Sequence, residues 1–104
     1  MKILATEREL PNIDHDAYTP DLLRAEAQRA WELYQAGVVR ELYFRADRPE
    51  AVIILECATV EDAAAALDSL PLVQAGLVAF DLIPLKAYPG FARLFVDKDE
   101  QLTT

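Results

Sequence analysis

The chain reads as an α+β fold with the element order β-α-β-β-α-β, four antiparallel strands carrying two helices on one face. Three observations predict it. Apolar residues recur at helical spacing over two long segments, residues 20–36 and 60–70, and briefly at Phe91, Leu94 and Phe95. The segments around them alternate or run apolar over four to nine residues, as strands do. A proline-containing turn, "ADRPE" at 46–50, separates two such runs as a hairpin loop would.

The elements follow in chain order. "KILA" at 2–5 is a short apolar first strand, and the polar, turn-rich "TERELPNIDHDAYTP" after it reads as a loop. Thr19 can cap the first helix, Pro20 suits its first position, and Asp21 complements the positive helix end. Leu23, Ala27, Ala30 and Tyr34 form its apolar stripe, with Trp31 beside them, and Gly37 supplies the left-handed residue that closes it. Residues 38–45 form strand two, with Arg40, Leu42 and Phe44 on one face and Glu41, Tyr43 and Arg45 on the other. Residues 51–58 form strand three. Thr59 opens the second helix, the "AAAAL" run propagates it, and Pro71 stops it. Residues 77–85 form strand four.

This order is the split βαβ, or ferredoxin-like, pattern. Strands three and four are apolar on both faces: Val52 and Ile54 point one way, Ile53, Leu55 and Cys57 the other. A lone sheet with helices on one side has no layer for the second face. The chain is therefore expected to form a homodimer or higher homo-oligomer, a dimeric α+β barrel. One domain is expected over 1–96, followed by an acidic, disordered tail at 97–104.

Composition narrows the function classes. Of 104 residues, 18 are acidic and 10 basic, giving a formal charge of −8. Nucleic-acid binding depends on cations that neutralise phosphate, so nucleic acid and anionic membrane are not expected partners. A single cysteine, Cys57, excludes an intrachain disulfide and a cysteine-rich metal site. No leader or membrane-length apolar run is visible, so a soluble cytoplasmic protein is expected.

Leu33 and Gly37 at the end of helix one, Arg40-x-Leu42 in strand two, Val60-Glu61 in helix two and the following Leu70-Pro71-Leu72 carry a resemblance to the muconolactone isomerase family. It extends over about two-thirds of the chain, from helix one to strand four. The resemblance implies a ferredoxin-like subunit that dimerises. It also implies isomerisation of a small lactone carboxylate by proton transfer, without metal or cofactor. The chain departs from the family where a histidine follows the strand-two arginine; here that residue is Glu41.

Several side chains are candidates for chemistry, each with a plainer alternative. Glu26 borders the apolar stripe of helix one, and the resemblance places an acidic residue of this helix in the pocket. Burial would raise its pKa towards that of a proton-transfer base; the alternative is a helix-edge pair with Arg29. Tyr43 could act with it as a catalytic donor. Arg40 and Arg45 could hold a substrate carboxylate, with Glu56 and Trp31 completing the binding surface. The alternative is strand-end pairing of either arginine with Glu56. Asp81, alone in an apolar strand, must be paired, protonated or at an edge. His15 reads as a solvated loop residue and Cys57 as packing, and no metal-ligand spacing is present. The aromatic segment "AYPGFARLF" either packs on a partner subunit or covers the pocket. Two other function classes stand beside the isomerase: a non-catalytic dimeric ligand-binding or interaction domain, and a cofactor-free monooxygenase.

Overall fold

A computed structural model describes residues 1–96; the acidic tail expected at 97–104 lies outside the described residues. Strands β1 (Lys2–Glu9), β2 (Val39–Phe44), β3 (Ala51–Glu56) and β4 (Val78–Leu85) form one sheet in the order β2-β3-β1-β4, every pairing antiparallel. Helices α1 (Pro20–Gln35) and α2 (Val60–Asp68) cover one face, with the single turn α3 (Pro71–Gln74) between α2 and β4. This is the ferredoxin-like order that the periodicity predicts.

Local chemistry sets the element ends. The Thr19 hydroxyl accepts from Leu22 N at 3.2 Å at the head of α1, and the Thr59 hydroxyl accepts from Asp62 N at 3.0 Å at the head of α2. Both satisfy an amide that has no partner within the helix. Gly37, at φ 78°, turns the chain out of α1 into β2. The second helix does not run to Pro71 as one piece. Ser69 ends it, and Pro71 starts the new turn α3, since proline suits a first helical position and not an interior one.

Strand β1 is longer than its apolar start implies. Thr6, Glu7, Arg8 and Glu9 continue it, paired against Asp81, Phe80, Ala79 and Val78 of β4. Strand alternation carries on through the polar residues, because an apolar neighbour strand supplies the ladder whatever the side chains are. The remainder of the expected loop contains a short 3-10 turn at His15–Ala17, its Asp14 carboxylate accepting from Asp16 N at 2.9 Å.

Cross-strand register shows which side chains share a face. The helix-covered face carries the rows Val39–Leu55–Ile3–Pro84, Leu42–Ile53–Ala5–Leu82 and Phe44–Ala51–Glu7–Phe80. Ile3, Ala5, Ile53 and Leu55 pack there with Leu33 of α1 and with Ala63 and Leu67 of α2 as the core. The third row lies towards the hairpin end of the sheet and holds a carboxylate in an otherwise apolar line. The opposite face carries Glu41–Ile54–Leu4–Ile83 and Tyr43–Val52–Thr6–Asp81, and no described element covers it.

Beyond β4 the chain leaves the sheet and forms a 3-10 turn at Gly90–Phe95. Tyr88 stacks edge-on against Phe91 at 5.0 Å, and both remain exposed, as do Leu94 and Phe95. The segment thus packs on no core of its own. No described helix is long and apolar enough to cross a membrane.

Candidate functional site

Between α1 and the helix-covered face lies a cavity of about 670 Å³, within the range of small-molecule sites. Its floor is the third sheet row with Ile53 and Val39; its walls are Leu23, Glu26, Ala27 and Ala30 of α1, with Leu70 and Leu72 closing one end. The cavity lies where α1 and α2 leave the third row and part of the first two, Val39, Leu42 and Ile53, open. The hairpin residues Pro49 and Glu50 and the turn residues His15 and Tyr18 form its rim.

Glu26, one of the sequence candidates, lines this space from α1. It does not pair with Arg29, which instead reaches Ser69 Oγ at 2.9 Å and Glu32 at 3.3 Å. Its Oε1 accepts from Leu72 N at 3.0 Å, in the first turn of α3. Burial pushes its carboxyl above the usual glutamate range, and that amide only partly offsets the effect.

Glu7 is the residue that sequence reasoning missed. It rises from the third row of the sheet, half-buried, and accepts from Ala51 N at 3.1 Å. Its carboxyl is also raised, first by burial, then by the charges of Glu26, Glu50 and Glu9. The signal was available. Continuing the alternation of Ile3 and Ala5 by one step puts Glu7 on the same inward face.

At the rim, Glu9 accepts from Tyr18 Oη at 2.9 Å and meets His15 Nε2 at 3.1 Å. The His15 hydrogen bond, then Tyr18's, lowers the Glu9 carboxyl, and the same contact raises His15. Burial and the Glu9 hydrogen bond push Tyr18 up to about 12.

The other candidates stand elsewhere. A register shift between Val39 and Glu41 takes Arg40 off the face it was expected to share with Leu42, and its Nε donates to Gly37 O at 2.7 Å. Arg45 closes the hairpin, forking onto Asp47 at 2.8 and 2.6 Å, with Glu50 at 3.9 Å. Tyr43 lies on the open sheet face and donates to Glu41 at 2.7 Å. Glu56 pairs with the N-terminal ammonium at 3.4 Å, not with either arginine. Trp31 is exposed on the outer side of α1, stacked on Tyr34 at 5.6 Å. None of these five lines the cavity. Asp81 meets Arg8 at 3.4 Å at an exposed edge, and Cys57 packs beside the core with its thiol raised by burial. Among the described residues no cluster of His, Cys, Asp or Glu is arranged to hold a metal.

The two raised carboxyls give a pH signature. A carboxyl whose folded pKa exceeds its unfolded value stabilises the fold below about pH 4.3, and that contribution is lost as pH rises through the folded pKa. Glutamine mimics the neutral form at every pH. Glu7→Gln is therefore expected to raise the Tm at pH 7, with a difference that shrinks towards zero at pH 4. Thermal melts by circular dichroism at the two pH values check this; a variant less stable than its parent at pH 7 contradicts it.

The chain matches no family model and no curated protein. Among solved structures it is similar to muconolactone isomerase, with a TM-score of 0.71 and 24% identity over 86% of this chain and 92% of that one. It is also similar to a 5-chloro-2-hydroxyhydroquinone dehydrochlorinase from Burkholderia phenoliruptrix, solved with 2,5-dihydroxybenzoquinone, with a TM-score of 0.63 and 16% identity over 86% and 98%. The shared fold is that of the muconolactone isomerase subunit, the likeness that the helix-one and strand-two residues carry in the sequence.

Proposed function

We propose that the protein is a muconolactone-isomerase-like catalyst that moves a double bond in a small metabolite by proton transfer, with Glu26 as its base. The observation that supports this most directly is a carboxyl raised by burial and facing a largely apolar cavity. A carboxylate in water is too weak a base for a carbon acid; one with its pKa moved towards neutrality is better matched. We assign the donor role expected at Tyr43 to Glu7 in its acid form; its carboxyl is also raised by burial, and it lines the same cavity.

The step balances without redox change. Glu26 takes a proton from carbon beside a carbonyl, and the Glu7 acid hydrogen-bonds the oxygen where charge develops. Glu26 then returns its proton to the far carbon of the conjugated system. The apolar walls keep bulk water from competing for the charge.

One observation favours the alternative of a binding or interaction module. Glu26 also caps an amide of α3, a structural task sufficient to account for its position. The two readings separate by NMR titration of the Glu26 carboxyl. A pKa well above the ordinary value of about 4.3 supports the base; a value at or below it removes the base and leaves the cap.

A further inference from the structure

We infer that the cavity selects an uncharged carbonyl or hydroxyl compound and rejects carboxylates, so the substrate class differs from a lactone carboxylate. This rests on the cavity being the site, as proposed above, and adds the sign of the charge it accepts.

Four acidic side chains line the cavity, Glu7, Glu9, Glu26 and Glu50, and among the described residues no lysine or arginine does. Two of the four are compensated. Glu50 lies 3.3 Å from Arg48 Nε and 3.9 Å from Arg45, and Glu9 is held by His15 and Tyr18. Glu7 and Glu26, deeper in, have only the amides of Ala51 and Leu72. Those amides satisfy one oxygen of each side chain but carry no net charge.

An anion entering this space would lose its hydration against apolar walls. It would find no lysine or arginine to replace that hydration and would face the Glu26 carboxylate, whose one partner is an uncharged amide. The guanidiniums able to change the balance are committed elsewhere, Arg40 to Gly37 O and Arg45 to Asp47. A neutral molecule meets none of these costs. Its hydroxyl can donate to Glu26, and its carbonyl can accept from the Glu7 acid.

The test uses two ring probes of equal size, benzyl alcohol and benzoate, titrated at pH 7 into the full chain labelled with nitrogen-15. The amides of Leu72 and Ala51 are natural reporters, because each donates to one of the two half-buried carboxyls. Benzyl alcohol is expected to shift both amides, and benzoate to bind at least about tenfold more weakly, a difference of about 1.4 kcal/mol. In the Glu7→Gln/Glu26→Gln double variant the gap should narrow to about threefold or less. Benzoate that shifts both amides with affinity equal to the alcohol's overturns the charge selection while leaving the cavity a binding site. If neither probe moves these amides, the cavity is not the site, and the proposed function falls with it.

Discussion

Replacing Glu26 by Gln is expected to slow proton exchange at carbon beside a carbonyl by about 10²–10⁴-fold, the usual contribution of a positioned base. That corresponds to about 3–5 kcal/mol of barrier. The readout is deuterium incorporation from D₂O into a small cyclic enone or lactone, followed by NMR. Glutamine keeps the volume of the side chain, and its carbonyl oxygen can still accept from Leu72 N, so the α1–α3 bridge survives. It cannot accept the substrate proton. Since burial raises the Glu26 carboxyl, the ionised form costs stability at pH 7, and the variant should melt no lower than its parent. A rate loss with unchanged or higher Tm marks a group that favours chemistry over stability. A variant that melts lower and exchanges protons at the parent rate would make Glu26 a cap and nothing more.

The sequence displayed the scaffold more fully than the site, and particular residues show why. Thr19, Thr59 and Gly37 act through their own backbone neighbours, so their roles follow from spacing alone. The apolar runs of β3 and β4 identify strands without knowledge of the register, but within one chain β3 is largely covered while most of β4 stays exposed or half-exposed. Glu26 was legible because a helix stripe fixes its direction. Arg40 was not: one register shift in β2 turned it from the inner face, and such shifts leave no composition signal. Glu7 was hidden for a different reason. Its strand is polar there and forms only because β4, more than seventy positions away, supplies the partner. Arg45 and Tyr43 found acceptors two residues away, Asp47 and Glu41, where longer-range partners were expected. Local acceptors win at exposed positions because they cost less side-chain and loop entropy to hold.

The second large effect is expected at Ile54. It stands in the middle of the uncovered face, in the row Glu41–Ile54–Leu4–Ile83, with Val52 beside it and Leu85 at the sheet end. Ile83 and Leu85 are 47% and 39% exposed in the single chain. A strip of aliphatic side chains across the strands is apolar surface that water penalises by about 25 cal/mol per Å². The expected occupant is a second copy of the same face. Two such sheets pack about 10 Å apart with their apolar rows interdigitated, and the charged edge formed by Arg8 and Asp81 at 3.4 Å would lie at the rim. The chain is therefore expected to sediment as a dimer or larger at micromolar concentration, and Ile54→Asp to abolish that assembly. An unpaired carboxylate placed in the contact would cost several kcal/mol, and two would face each other across a symmetric interface. Since the substituted side chain points away from the core of Ile3, Ile53 and Leu55, the variant should keep the circular dichroism of a folded subunit. Sedimentation of the parent as a single species of 11.6 kDa would show that the open face is simply solvated. Loss of the fold in a chain that was already monomeric would place Ile54 in the core of one subunit, and not between two.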